Sequence, residues 1–341
     1  MDRFAGFPQN EQRLYFEQTG ERMRLSPHIV EKDFWVSWTL SELFALPDIG
    51  KTLIFKGGTS LSKAYRMIER FSEDIDVSID RASLGFGEDC DPEADISNKE
   101  RRRRIALLGK ACQERIENEL WPAMTGAIES RLGTARGWSL RMDEDDPDGQ
   151  TLIFEYPSGL TGAFGGYVKP VVKIEMGARS DHWPCDMAQI SPYVAEQFPD
   201  AFQSPRFAAK VLTAERTFWE KVTMLHAEYH RPDDKKMPMR LSRHYYDVAQ
   251  MIRAGLGERA LENLELLQRV VTHKKAFFQS GWARYDDAKQ GSLRLVPNVS
   301  RMKDLEDDYD RMREMFFTAP PGFREVLAAL AEWEDKFNHM I

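Results

Sequence analysis

An α/β chain, with a mixed-sheet lobe followed by a helical lobe, is what this 341-residue sequence predicts, and three patterns predict it. Residues 53–80 read as strand, tight turn, helix and strand in immediate succession. Two further period-two stretches, Thr151 to Tyr156 and Tyr167 to Met176, supply more strands. From Val211 onward, apolar residues recur at helical spacing instead. The proline-bearing stretch Ala178 to Phe207 separates the two regimes and places one lobe over residues 1–200 and a helical lobe over 201–341. That length is enough for one large or two medium hydrophobic cores.

Taken in order, residues 8–46 carry apolar positions at helical spacing (Val30, Phe34, Trp35, Trp38, Leu40, Leu43) and predict helices. For the charged Glu31-Lys32-Asp33 inside them two readings stand, a motif element ahead of the Gly-Gly strand and, equally, a solvated helix face, and no role is assigned. Residues 45–52, ALPDIGKT, imitate a phosphate-binding loop. They have Ala45 where the first glycine belongs and precede a strand rather than follow one, so they are read as an ordinary loop.

Leu53-Ile54-Phe55 then runs into Gly57-Gly58-Thr59-Ser60, a strand meeting a helix start, with Leu61, Ala64, Tyr65, Ile68 and Phe71 as the helix's apolar face. In Asp74-Ile75-Asp76-Val77-Ser78-Ile79-Asp80, alternation puts Ile75, Val77 and Ile79 toward a core and Asp74, Asp76 and Asp80 on the opposite face. Aligned carboxylates repel one another and call for a cation. Asp74 and Asp76 have the spacing to share Mg²⁺ with substrate phosphates. The Gly-Gly turn supplies the complement, since backbone N–H groups at a helix start attract phosphate and glycine permits close approach. Turn, helix and two-carboxylate strand in this order suit a nucleoside triphosphate.

Beyond Asp80, an acidic polar segment leads to Arg101-Arg102-Arg103-Arg104 at the head of a helical pattern reaching about Arg131. These arginines are either a solvated helix start or a contact for an RNA backbone or triphosphate. In Val171-Val172-Lys173-Ile174-Glu175-Met176, alternation sets Glu175 beside Lys173 and away from the core, which makes Glu175 the candidate third carboxylate. His182 near Cys185 lacks the further ligands a metal site needs. Val211, Ala214, Phe218, Val222 and Leu225 mark an amphipathic helix flanked by Glu220 and Lys221, and Asp247 follows three aromatic or imidazole residues at the head of another helix. The last third is helical, with basic and aromatic residues mixed at 273–278 and 282–285, a pattern that serves either a core rim or single-stranded RNA.

Composition narrows the class. No run of eighteen apolar residues and no apolar leader core occurs, so neither a membrane span nor secretion is predicted and the cytoplasm is the expected compartment. Three scattered cysteines predict free thiols rather than disulfides or zinc. A formal net charge of −8 does not announce a nucleic-acid binder, although local patches rather than totals attract phosphate.

Lys56-Gly57-Gly58-Thr59-Ser60-Leu61 followed by Arg70-Phe71-Ser72-Glu73-Asp74-Ile75-Asp76-Val77 resembles the AbiEii/AbiGii toxin family of nucleotidyltransferases, within the DNA-polymerase-β-like superfamily. The resemblance implies a polymerase-β-like lobe, with a helical lobe completing an active-site cleft. It implies that Lys56, Gly57, Gly58, Thr59 and Ser60 bind the nucleotide and that Asp74, Asp76 and Glu175 hold two Mg²⁺ ions, with Mn²⁺ as an alternative. Lys221 would touch the nucleotide phosphates, and Asp247, ending an Arg-x-x-x-Asp segment from Arg243, would hold Lys221 or bind the nucleotide. It further implies the toxin of a type IV toxin–antitoxin or phage-defence pair, a tRNA 3′ end as acceptor, and a cognate antitoxin. Two rivals stay open: a protein side chain as acceptor, or a non-catalytic nucleotide- or RNA-binding module. A metal-dependent nuclease also uses two carboxylates, but has no need of the Gly-Gly turn.

Overall fold

The computed structural model describes residues 1–160 and 170–340, in two compact units. The first comprises residues 1–64, 71–94 and 98–211, and the second residues 65–70, 95–97 and 212–341. Tyr167 to Lys169, the expected start of a strand, lie outside the described residues.

In the first unit, helices α1 (Asp2–Ala5), α2 (Gln9–Met23) and α3 (Pro27–Ala45) precede strand β1 (Leu53–Lys56), the short helix α4 (Gly57–Lys63) and strand β2 (Asp74–Ile79). Helices α5 (Asn98–Arg115) and α6 (Trp121–Leu132) follow. Strands β3 (Ser139–Met142), β4 (Thr151–Glu155), β5 (Val171–Gly177) and β6 (Cys185–Ile190), helix α7 (Tyr193–Gln197) and strand β7 (Phe207–Leu212) complete it. The strands form one mixed sheet in the order β3-β4-β5-β2-β1-β7-β6, with β2 parallel to β5 and antiparallel to β1. The expected α/β class with a mixed sheet is what the chain adopts.

Register explains which face is buried. Phe55 pairs with Val77, Ile75 with Ile174 and Leu152 with Ile174, so one apolar face runs across four strands. Helix α3 covers this face: Trp35 and Trp38 pack on Phe154 of β4, and Trp35 stacks on Tyr156 at 5.5 Å. Ser26 caps α3 by accepting from the His28 N–H, and Pro27 occupies its first position, where a missing N–H costs nothing. Because α3 is wrapped by protein, Glu31, Lys32 and Asp33 are buried at 1%, 3% and 3% exposure, which corrects the expectation of a solvated face.

Two further expectations are corrected. The helix after the Gly-Gly turn ends at Lys63 rather than continuing to Phe71; Arg66 has φ +52°, and residues 65–70 belong to the second unit. There Arg70 makes a β-bridge with Phe316, and the Phe317 N–H donates to the Glu69 carbonyl. Val211 lies not in a helix but in β7, beside Phe55 of β1, and Thr213 caps the helix that follows. Sheet pairing overrides the helical spacing of Val211, Ala214 and Phe218.

The second unit is helical, with α8 (Ala214–Tyr229), α9 (Ser242–Arg253), α10 (Leu256–Leu261), α11 (Leu264–Phe277), α12 (Met302–Arg311) and α13 (Phe323–His339). Phe218 and Trp219 of α8 pack on Trp333 of α13, and Phe337 stacks on Trp333. The Asp308 carboxylate accepts from the Arg240 and Ser242 N–H groups and so satisfies donors at the head of α9. Among the described residues, no helix is long and apolar enough to cross a membrane.

Candidate active site

The sheet face opposite α3 carries the polar side chains of the central strands. Asp76 of β2 is the register partner of Lys56 of β1 and of Glu175 of β5, and Asp74 is the partner of Lys173. Asp74, Asp76, Lys173 and Glu175 are therefore neighbours on one face, and all four are half-buried. Gly57 joins turn to carboxylate. Its φ is +81°, and a Cβ there would lie 2.0 Å from Asp76 Oδ2, so only glycine lets the Asp76 carboxylate rest against the turn. Gly57→Ala is accordingly expected to destabilise the fold by more than about 1 kcal/mol through backbone strain alone. It should also displace Asp76, and comparison of its urea unfolding with that of wild type measures the first effect.

The hydroxyls of the turn are committed to the scaffold. Thr59 Oγ1 donates to the Asp74 carbonyl at 2.5 Å and reaches Ser72 Oγ at 2.8 Å, while Ser60 Oγ donates to the Gly57 carbonyl at 2.9 Å. Both side chains are fully buried, so any contact of theirs with a nucleotide would come through the backbone.

Glu175 lies 3.1 Å from Lys173 Nζ, which also approaches Asp143 at 3.5 Å. Burial works against the Lys173 charge, but these carboxylates outweigh it and hold the ammonium above its ordinary pKa. The oxygen donors of Asp74 and Asp76 suit a hard divalent cation, while Glu175 is engaged by a lysine. Among the described residues, no three His, Cys, Asp or Glu side chains are grouped closely enough to hold a metal ion. His182, half-buried and held near pKa 4 by desolvation, instead bonds Ser78 Oγ through Nε2 at 2.8 Å.

In the second unit, Asp247 of α9 is fully buried between two cations. Arg70 grips it with two hydrogen bonds, Nε to Oδ1 at 2.7 Å and Nη2 to Oδ2 at 2.8 Å, and Lys221 Nζ lies 3.0 Å from Oδ2. Burial alone would raise the Asp247 pKa, yet Arg70 and then Lys221 overcome it and hold the carboxyl well below its usual range. Lys221 is lowered, first by desolvation, with Asp247 opposing. His244, neutral because burial and the neighbouring Lys221 disfavour its charge, places Nδ1 3.1 Å from the Lys221 ammonium. One carboxylate thus contacts two buried cations.

The family model described as nucleotidyl transferase AbiEii toxin, type IV toxin–antitoxin system, matches residues 38–330. The chain belongs to the AbiEii family of nucleotidyl transferase toxins. No curated protein matches the chain. Among solved structures, it is similar to MenT4, a nucleotidyltransferase toxin from Mycobacterium tuberculosis H37Rv, at 16% identity and a TM-score of 0.39, covering 93% of this chain and 98% of that one. It is also similar to JHP933 from Helicobacter pylori at 12% identity and a TM-score of 0.33, covering 96% and 94%.

Within this AbiEii chain, reading the sequence alone gave no role to Arg70 or Lys173. Arg70 had a signal, since it opens the Arg-Phe-Ser-Glu-Asp run, but its partner Asp247 lies far along the chain and no local pattern pairs the two. Lys173 had one as well, sharing its strand face with Glu175. The arginine run proves largely local: Arg101 donates to the Pro92 and Ala94 carbonyls, Arg103 and Arg104 pair with Glu100, and only Arg102 is exposed without such a bond described. Lys274 spends its ammonium on the Glu220 carbonyl at 2.6 Å, and His273 is buried.

Proposed function

We propose that the protein transfers nucleotides from a nucleoside triphosphate to an acceptor hydroxyl, with pyrophosphate leaving, and that the acceptor is the 3′ end of a tRNA. The observation that carries this reading is the contact between Gly57 and Asp76, which sets the first turn of α4, with its backbone N–H groups, directly against a carboxylate. Hydrolysis has no use for that juxtaposition, whereas nucleotide transfer needs phosphate and metal ligands side by side. Asp74 and Asp76 are the residues that would hold Mg²⁺, two ions or Mn²⁺ in their place, and Glu175 would join them as the third carboxylate once released from Lys173. When bound, the metal supplies Lewis-acid stabilisation of phosphoryl oxygens.

The chain's own groups do the rest in this reading. The Lys56–Ser60 turn holds phosphate through backbone N–H groups, and Gly57 lets the Asp76 carboxylate lie against that turn. Glu175 accepts the proton of the attacking hydroxyl, for which its salt bridge to Lys173 must open or shift. Lys221, kept charged by Asp247, offsets negative charge on the departing pyrophosphate. A toxin role in the cytoplasm, checked by a cognate antitoxin, accords with the family.

The test is incubation of the purified protein with Mg²⁺, total tRNA and each α-³²P nucleotide in turn, beside the Asp74→Ala/Asp76→Ala variant. Label on tRNA that requires both aspartates is expected, and its dependence on the nucleotide names the base. Label on protein instead would move the acceptor to a side chain. No label with any nucleotide would withdraw the catalytic assignments in favour of a binding module.

A further inference from the structure

The two-carboxylate motif is interrupted in space. Its turn and helix end at Lys63, the chain leaves the first unit after Ala64, and it re-enters at Phe71, shortly before Asp74. Chain closure alone fixes the ends of such an excursion only loosely. Here both ends are tied, and both ties come from adjacent residues of α3.

At the exit, Asp33 Oδ1 accepts from Lys63 Nζ at 2.5 Å while Oδ2 accepts from the Tyr193 N–H at 2.7 Å, and the Lys63 ammonium lies 4.0 Å from the centre of the Tyr193 ring. At the re-entry, Lys32 Nζ donates to the carboxylate of Glu73, the residue before Asp74. Lys32 and Asp33 are each only 3% exposed. Buried ion pairs contribute little to stability, because desolvation offsets attraction, so two such pairs side by side in a core are better explained by the geometry they impose.

We propose that Lys32 and Asp33 are positioning residues, a two-residue clamp that locks both ends of the 65–70 excursion and so sets Asp74 and Asp76 against the Gly57-Gly58 turn. Neither touches the reacting atoms. Displacement of a catalytic carboxylate by about 1 Å costs about a hundredfold in rate, which is what the clamp prevents. The kinetic part of this inference rests on the nucleotidyl-transfer reading, and the structural part does not.

The experiment uses the full chain with Lys32→Met, Lys32→Arg and Asp33→Asn, and reads amide hydrogen exchange together with transfer kinetics. In Lys32→Met and Asp33→Asn, exchange at 57–63 and 74–79 should quicken by about tenfold or more while the neighbouring strand at 171–177 keeps its protection. The rate constant kcat should fall by about tenfold or more with KM for the nucleotide within about threefold of wild type. Lys32→Arg, which keeps the ion pair, should restore most of both.

Where a single variant fails to fold, Lys32→Met/Glu73→Met removes both charges of that ion pair together and should show the same local quickening at 74–79. Unchanged exchange at both segments, or a uniform rise across the whole sheet, overturns the clamp. So does local quickening with kcat intact. A wild-type protein that transfers no nucleotide overturns the proposed function and leaves exchange to decide the clamp.

Discussion

Asp76→Asn is expected to lower nucleotidyl transfer by about a thousandfold or more, because a carboxylate that holds a metal against phosphate is worth several kcal/mol in the transition state. Asparagine has the same size and can still rest on Gly57, so the turn and β2 should keep their places. Stability should change far less than rate, because relieving the repulsion between two like charges on one strand face offsets part of what the carboxylate's own contacts contribute. The variant's melting temperature should stay close to that of wild type while its rate collapses. Initial rates with labelled nucleotide and calorimetry on the same preparation check both. Undiminished transfer would remove Asp76 from the chemistry, and a large loss of stability would mean that its role is in the fold. Induced expression offers a parallel readout: wild type is expected to slow growth and Asp76→Asn to leave it unaffected.

What was legible in the sequence was local. The run from Leu53 to Ser60 and the alternation from Asp74 to Ile79 each decide their structure within a few residues, through glycine at positive φ and through a two-residue period, and both stand where they were read. Glu175 was also placed on its strand by alternation alone, and the register then set it opposite Asp76. Readings that depended on distant partners were not legible. Apolar spacing from Leu61 to Phe71 imitates a helix, but Glu69 and Arg70 find partners near Phe316 and the helix stops at Lys63. Val211 fits a helical stripe, yet pairing with β1 makes it a strand. Glu31, Lys32 and Asp33 look like a solvated face because charged residues are rarely buried; their partners come from later in the chain, Glu73 for Lys32, Lys63 for Asp33, and the Ser158 hydroxyl and Gly159 N–H for Glu31.

Asp247→Asn is expected to cost the second unit about 3–5 kcal/mol, since it leaves Arg70 and Lys221 buried without their shared counter-charge. Lys221→Met should behave differently. It removes a cation whose burial is unfavourable, as its lowered pKa shows, and Arg70 still satisfies Asp247 with two hydrogen bonds. Stability should therefore be unchanged or improved, while transfer falls by about a hundredfold or more for want of a charge at the leaving phosphate. The pH dependence has a definite sign. The Asp247 carboxyl is held below its unfolded value, so its contribution is complete above about pH 4 and is lost as the pH falls toward the folded pKa. The acid limb of unfolding should flatten in Asp247→Asn and persist in Lys221→Met. Urea unfolding of the two variants between neutral pH and pH 3 measures these differences. Equal destabilisation by both would show that Lys221 is there to hold the helices together, whereas the expected asymmetry marks a cation kept at a cost to stability, as is characteristic of groups retained for binding an anion.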